Sequence, residues 1–366
     1  MRIVQIIDSL VIGGAERMAV NYANVLSHKI EFSALIATRK EGLLKDKIHK
    51  KVSYLFLNKK GKIDLSSVFR LRKFVKANNV SHIHAHSSSF FISVLLKFTL
   101  PKLKIIWHDH YGISQDLASR KNIVLKLSSY FFTGIIAVNS ALKEWAKAYL
   151  LNSKVVYFPN FIDFSTDNPE RIELMGNQGK RLICVANLRP QKNHELLLKA
   201  ASIVISKYPD WSFHLFGKDF EDIYSLKIKN LIKDLKLGQN VFLYGSTNSI
   251  TSALDQCDIA ILTSLSEGLP LALLEYGKHS LPVIATNVGE IDKIITSENE
   301  GILIESNNVK ELINAIDKLI VHVIYRNQIA TALHKKIQME YSENNIAEQY
   351  LIWVQSLTNF DKKVSK

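Results

Sequence analysis

Short apolar runs rich in β-branched residues alternate with longer stretches of helical spacing along the whole chain, a pattern that predicts parallel sheets covered by helices. In the first half the strands are expected at residues 2–7, 30–37, 52–57, 82–84, 104–107, 134–138 and 155–158, with helices over 15–27, 65–76 and 140–149. Within 65–76, Leu65, Val68, Phe69, Leu71, Phe74 and Val75 cluster near helical spacing, while Arg70, Arg72, Lys73 and Lys76 supply a basic side. The alternation breaks at Pro159-Asn160-Phe161-Ile162-Asp163, and the polar, turn-rich stretch 165–180 follows. It then restarts with strands expected at 181–186, 211–216, 240–244, 259–262, 282–285 and 302–304. This places an N-terminal domain at 1–160 and a C-terminal domain at 161–345. A final helix with Ile346, Tyr350, Trp353 and Leu357 on one stripe, plus a tail, makes up 346–366 and is expected to cross back to the first domain.

At 366 residues the chain exceeds what one hydrophobic core usually supports, which fits two domains better than the rival single α/β barrel. Hydrophobic residues at 47% and charged residues at 22% exclude a disordered chain. The N-terminal run reads as a buried strand rather than an export signal, and the apolar run at 90–96 is far too short for a bilayer of about 30 Å. Cys184 and Cys257 lie in apolar runs without metal-ligand spacing and are expected as buried free thiols in a cytoplasmic protein. Charge is uneven: residues 1–160 carry 25 Lys and Arg against 9 Asp and Glu, and the remainder carries 22 against 25. The first half therefore either faces something anionic or is simply a solvated lysine-rich surface.

Three strand-to-helix junctions carry candidate chemistry. Gly13 and Gly14 follow the first strand, where amides at a helix N-terminus can approach a phosphate and glycine removes the Cβ that would block it; tight packing at the turn would explain the pair equally well. The third glycine of a dinucleotide fingerprint is missing and no acid closes the second strand, which argues against NAD. In the loop Asn187-Leu188-Arg189-Pro190-Gln191-Lys192-Asn193-His194, Arg189 and Lys192 present two cations beside a helix start, suited to a diphosphate or, alone, to solvent. In Ser264-Leu265-Ser266-Glu267-Gly268-Leu269-Pro270-Leu271-Ala272-Leu273-Leu274-Glu275-Tyr276-Gly277 the amides after Glu267, those of Gly268 and Leu269, offer a second anion site. Glu267 is expected at the mouth of a helix with proline near its first position, and Glu275 about two turns in, where ribose hydroxyls would satisfy a carboxylate set among apolar residues.

With these segments and the junction PNFID, nearly the whole chain resembles glycosyltransferase family 4, retaining enzymes of the GT-B fold. The resemblance implies an α/β architecture of two Rossmann-like domains whose parallel sheets face each other across a cleft. It implies that Gly13, Gly14, Arg189 and Lys192, with Gly268 and Leu269, hold the donor diphosphate, that Glu267 lies near the transferred sugar and that Glu275 binds the ribose. Two departures matter: Asn187 stands where members often carry arginine, and Phe161 replaces the glycine usual at the junction.

Histidines at 82, 84 and 86 alternate in a strand, and His108 and His110 follow another. Period-two spacing gives the first three a common face, yet no acid or cysteine cluster completes a metal site, and none is expected. The resemblance instead places a histidine near the sugar and the acceptor; either His108 or His110 fills that place, with His108 preferred as the first residue after its strand. The expected partners are a UDP-sugar or GDP-sugar donor and a saccharide or lipid-linked saccharide acceptor, with no metal, no cofactor and no nucleic acid. The basic first half adds an expected peripheral contact with the anionic inner face of the cell membrane. The alternatives are a nucleotide-sugar epimerase on the same fold, or a basic protein that binds an anionic polymer.

Overall fold

The computed structural model describes residues 1–111, 117, 120, 123–164, 171–247 and 249–364, the side chains after Leu357 excepted. They form two compact units, Met1–Asp163 with Ser342–Lys366, and Phe164–Tyr341. The first holds a parallel sheet of β1 (Arg2–Ser9), β2 (Phe32–Lys40), β3 (Ser53–Phe56), β4 (His82–His86), β5 (Lys104–Asp109), β6 (Gly134–Ala137) and β7 (Val155–Tyr157), in the order β3-β2-β1-β4-β5-β6-β7. The second holds β8 (Arg181–Val185), β9 (Ser212–Phe216), β10 (Val241–Gly245), β11 (Ile259–Leu262), β12 (Val283–Thr286) and β13 (Ile302–Ile304), in the order β10-β9-β8-β11-β12-β13.

The two orders are the same doubly wound pattern. In such sheets ligands bind outside the carboxyl ends of the strands where the order reverses, here at β1/β4 and at β8/β11. Every expected strand is present within two or three residues at either end, because strands buried on both faces read as uninterrupted apolar runs. β4 continues to His86 and β5 to Asp109, which carries the histidines further along the sheet than the apolar pattern alone suggests.

The C-terminal helix Glu343–Val364 belongs to the first unit. Ile346, Ala347, Tyr350, Val354 and Leu357 are buried, and Ser342 bridges to Ile162. A Cβ at Gly134 would come within 2.8 Å of Leu357 and Trp353, so glycine on β6 is what lets this helix lie against the sheet. Phe161, in place of a junction glycine, is fully buried with its ring edge-on to Tyr22 at 4.8 Å. Both cysteines are buried free thiols.

Candidate active site

At the carboxyl ends of β8 and β11 the backbone is tied loop to loop. Leu265 donates its N–H to the carbonyl of Gln191 at 2.8 Å, and the Thr263 hydroxyl donates to the carbonyls of Lys192 and Asn193 at 3.1 Å. These ties bring Lys192 onto Glu267, whose Oε1 accepts from both the Lys192 ammonium and, at 2.6 Å, the Ser264 hydroxyl. Glu267 is 8% exposed, and Lys192 supplies the positive charge that a carboxylate so buried requires. Behind it stands Gly289 at φ +67, where a Cβ would lie 2.0 Å from the Glu267 carbonyl, so only glycine closes this turn.

The following helix is Leu271–Lys278, with Pro270 as its N-cap. Gly268 and Leu269 therefore lie in the turn ahead of the helix, and Glu275 sits about one turn in rather than two. Pro270 has a helical φ of −72 but an extended ψ of 124, so it caps the helix instead of opening its first turn, and the helix starts later than expected. Glu275 is buried at 9% exposure. The neighbouring Tyr276 accepts the Val185 N–H at 2.7 Å and so anchors the helix to β8.

Arg189 and Lys192 face different partners. Arg189 is exposed, and its guanidinium lies 4.5 Å over the Phe220 ring, which also carries the Lys218 ammonium at 4.8 Å. Asn187 accepts the Lys218 N–H at 2.8 Å and holds this second loop in place. Cation–π stacking satisfies Arg189 locally, a competitor that sequence spacing does not reveal.

In the first unit Gly13 caps the helix Gly14–Leu26. A Cβ at Gly14 would meet nothing within 4 Å, so packing does not explain this glycine. Asp8, at the end of β1, accepts from Thr38 and, at 2.6 Å, from Ser88. Burial, followed by the charge of Asp8, raises the pKa of Glu16 against one opposing backbone hydrogen bond.

Beside this turn, β4 and β5 present a wall of imidazoles. His84 Nε2 lies 3.1 Å from His108 Nδ1, His86 Nδ1 lies 2.9 Å from His110 Nε2, and His86 Nε2 lies 2.9 Å from Gln5 Oε1. Tyr22 and Tyr350 pack against His84. His84, His86 and His108 have ligand atoms within 4.8 Å of one another, close enough to consider a metal. However, the His84 and His108 rings differ by 7° with centroids 5.2 Å apart, so they meet end to end through a shared N–H···N bond and their remaining nitrogens point away from each other. His108 is wholly buried, whereas His110 is half-buried. Of the two candidates, His110 is the less buried residue.

Burial holds these imidazoles neutral: His84, His86 and His108 lie well below the ordinary histidine value, His82 is pushed down to about 4 and His110 to about 3. Unfolding restores a value near 6.5, so between these limits the unfolded chain binds more protons. The stability these rings contribute is fully present above pH 6.5 and is lost as pH falls from there through about 4 and 3. Urea unfolding of the first unit, followed across that window, should show stability falling with acid; a flat profile would contradict the neutral assignment.

Residues 166–336 match the family described as Glycosyl transferases group 1, and residues 12–166 match Glycosyltransferase Family 4, the two abutting at the junction. The chain belongs to the group 1 glycosyltransferases. It is 28% identical to the Escherichia coli UDP-Gal:alpha-D-GlcNAc-diphosphoundecaprenol alpha-1,3-galactosyltransferase over 72% of this chain and 73% of that one. It is 26% identical to the E. coli O-antigen biosynthesis glycosyltransferase WbnH over 90% and 94%. Anabaena HepE, solved with UDP and glucose, superposes with a TM-score of 0.80 at 17% identity, over 97% of this chain and all of that one, a likeness of fold. That fold is GT-B.

Three features of this glycosyltransferase escape a reading of its sequence. Gln5 lies inside an apolar strand with no polar neighbour to flag it. Ser264 looks like a turn residue until its hydroxyl is seen on Glu267. Asp109 is fully buried under Arg120, which grips it through two hydrogen bonds of 2.6 and 2.8 Å; only the acid directly between His108 and His110 hints at it.

Proposed function

We propose that this glycosyltransferase moves a sugar from a UDP-sugar or GDP-sugar to a lipid-linked or growing cell-surface saccharide, with retention of anomeric configuration and without a metal. The observation that carries the reading is the Ser264–Glu267–Lys192 cluster at the β8/β11 reversal. As the bond from the anomeric carbon to the phosphate breaks, its electron pair passes to the diphosphate. Lys192 opposes that growing charge, and Arg189 joins it by turning off Phe220. An acceptor hydroxyl attacking the same face gives its proton to the departing phosphate oxygen. Glu275 takes the ribose hydroxyls, Gly14 leaves room for the donor, and His110 meets a saccharide hydroxyl. The names of the relatives, one acting on a diphosphoundecaprenol-linked sugar and one in O-antigen biosynthesis, support the acceptor class.

Calorimetric titration with UDP, GDP and ADP in the presence of EDTA tests the donor half. One of these should bind, and Glu275→Ala should weaken it by about tenfold or more, the worth of a hydrogen bond to a charged group. Binding of none, or binding only after magnesium is restored, overturns the reading.

The acceptor half predicts contact with a membrane surface. Among the described residues no helix is long and apolar enough to cross a bilayer. Leu65 and Phe69, Phe98, Ile123 and Leu127 are nonetheless exposed on three successive helices of the basic first unit, with Lys73 and Lys126 exposed among them. A few such lysines contribute about 1 kcal/mol each at an anionic leaflet. The protein should sediment with phosphatidylglycerol vesicles at low salt and stay in solution with phosphatidylcholine; equal behaviour in both removes the idea.

A further inference from the structure

The imidazole wall contains a directed chain of hydrogen bonds that ends at His110. Gln5 is fully buried on β1, its Oε1 2.9 Å from His86 Nε2. His86 is also fully buried, and its Nδ1 lies 2.9 Å from His110 Nε2. Among the described residues no other hydrogen bond reaches either ring. The order of protons follows from the end of the Gln5 carboxamide that faces His86: it is the oxygen, which only accepts, so His86 Nε2 must donate. A neutral imidazole has a single N–H, so His86 Nδ1 must accept, and His110 Nε2 must then be the donor to it. His110 Nδ1 is left as a bare lone pair on the one ring of His84, His86, His108 and His110 that is not fully buried.

We infer that Gln5 and His86 are positioning residues that lock His110 as its Nε2–H tautomer, so that its Nδ1 accepts a hydrogen bond from a saccharide hydroxyl. The tautomer is a property of the resting protein; only its use for a saccharide rests on the function proposed above. The device suits a site that must recognise a hydroxyl without taking on charge. A histidine with both nitrogens in water interconverts between tautomers, whereas this one is biased by a carboxamide on the far side of His86. The rest of the wall supports the bias. Tyr22 from the helix Gly14–Leu26 closes over His86 and His108, Tyr350 from the C-terminal helix lies over His84, and water is thereby kept from the buried rings. Burial also keeps His86 neutral, and a second proton there would turn both of its nitrogens into donors.

The test is a two-bond proton–nitrogen correlation spectrum of the full-length, nucleotide-free chain labelled with ¹⁵N-histidine at near-neutral pH, with His110 assigned by its loss in His110→Gln. The wild type should show His110 protonated at Nε2. Gln5→Leu removes the terminal acceptor and should leave His110 as a mixture of tautomers. Gln5→Glu places a carboxylate beside His86, holds that ring as an imidazolium that donates from both nitrogens, and should drive His110 to Nδ1–H. In a transfer assay both variants should lose about tenfold or more in kcat with the donor KM unchanged, a modest share of what a positioned proton-handling group contributes. A wild-type His110 protonated at Nδ1 overturns the inference, and so does a His110 that keeps Nε2–H in both Gln5 variants when their circular dichroism is native. If either variant fails to fold, the wild-type spectrum still decides. Because that spectrum needs neither donor nor acceptor, failure of the relay and failure of the transferase reading are separately visible.

Discussion

Glu267→Ala is expected to lower the rate of sugar transfer by about two to three orders of magnitude, the usual cost of removing one preorganised group that stabilises transition-state charge. Glu267 does more than add a carboxylate. Its Oε1 collects the Ser264 hydroxyl and the Lys192 ammonium, so it decides where the cation at the β8/β11 reversal sits. Without it, Lys192 is a flexible side chain on a loop and its charge is spread over many positions. Lys192→Ala should therefore cost a similar amount, and Glu267→Ala/Lys192→Ala little more than either alone, since groups that act as a unit are not additive. The assay is release of nucleoside diphosphate under single-turnover conditions. Losses that add in the double variant would show that the two residues work separately and that the ion pair is incidental.

The same cluster shows how far sequence reaches. The strands, the junction and the three candidate loops were legible, because β-branched runs, turn residues and glycines are local signals. The partners of the functional side chains were not legible. Arg189 and Lys192 are three residues apart, yet one stacks on Phe220 and the other pairs with Glu267, contacts made across separate crossovers. His108 was the natural choice as first after its strand, but the strand runs on to Asp109 and buries it, leaving His110 as the half-buried ring. Gln5 gave no signal because a single polar residue in an apolar strand acquires meaning only through the residue that faces it. His86 faces it from a neighbouring strand, 81 positions later.

Asp109 and Arg120 give the second large effect, and it is one of stability. The Asp109 carboxylate, 1% exposed, accepts two hydrogen bonds from Arg120, whose guanidinium lies 4.2 Å over Tyr111 and 4.3 Å over Trp145. Burial raises the pKa of Asp109, and Arg120 is the main opposing influence. Arg120→Met strands the carboxylate, and breaking a buried pair from one side should destabilise the first unit by about 3–5 kcal/mol. The pH dependence has a definite sign. With Arg120 gone, the folded state holds the Asp109 proton far above the unfolded value of 3.8, so stability falls as pH rises through that interval and the deficit is larger in mildly alkaline than in weakly acidic buffer. Asp109→Leu should cost less, because the guanidinium it leaves keeps its aromatic stacking and its 11% access to water. The double variant Asp109→Leu/Arg120→Met should recover much of the loss, since no charge is left uncompensated. Urea unfolding can be followed by tryptophan fluorescence, with Trp107 and Trp145 beside the pair. A double variant as unstable as the sum of the singles would mean that packing, not the buried charge, dominates this corner. The same variants bear on transfer, because Asp109 separates His108 from His110 in the chain, and a backbone released at Asp109 no longer holds the His110 ring against His86.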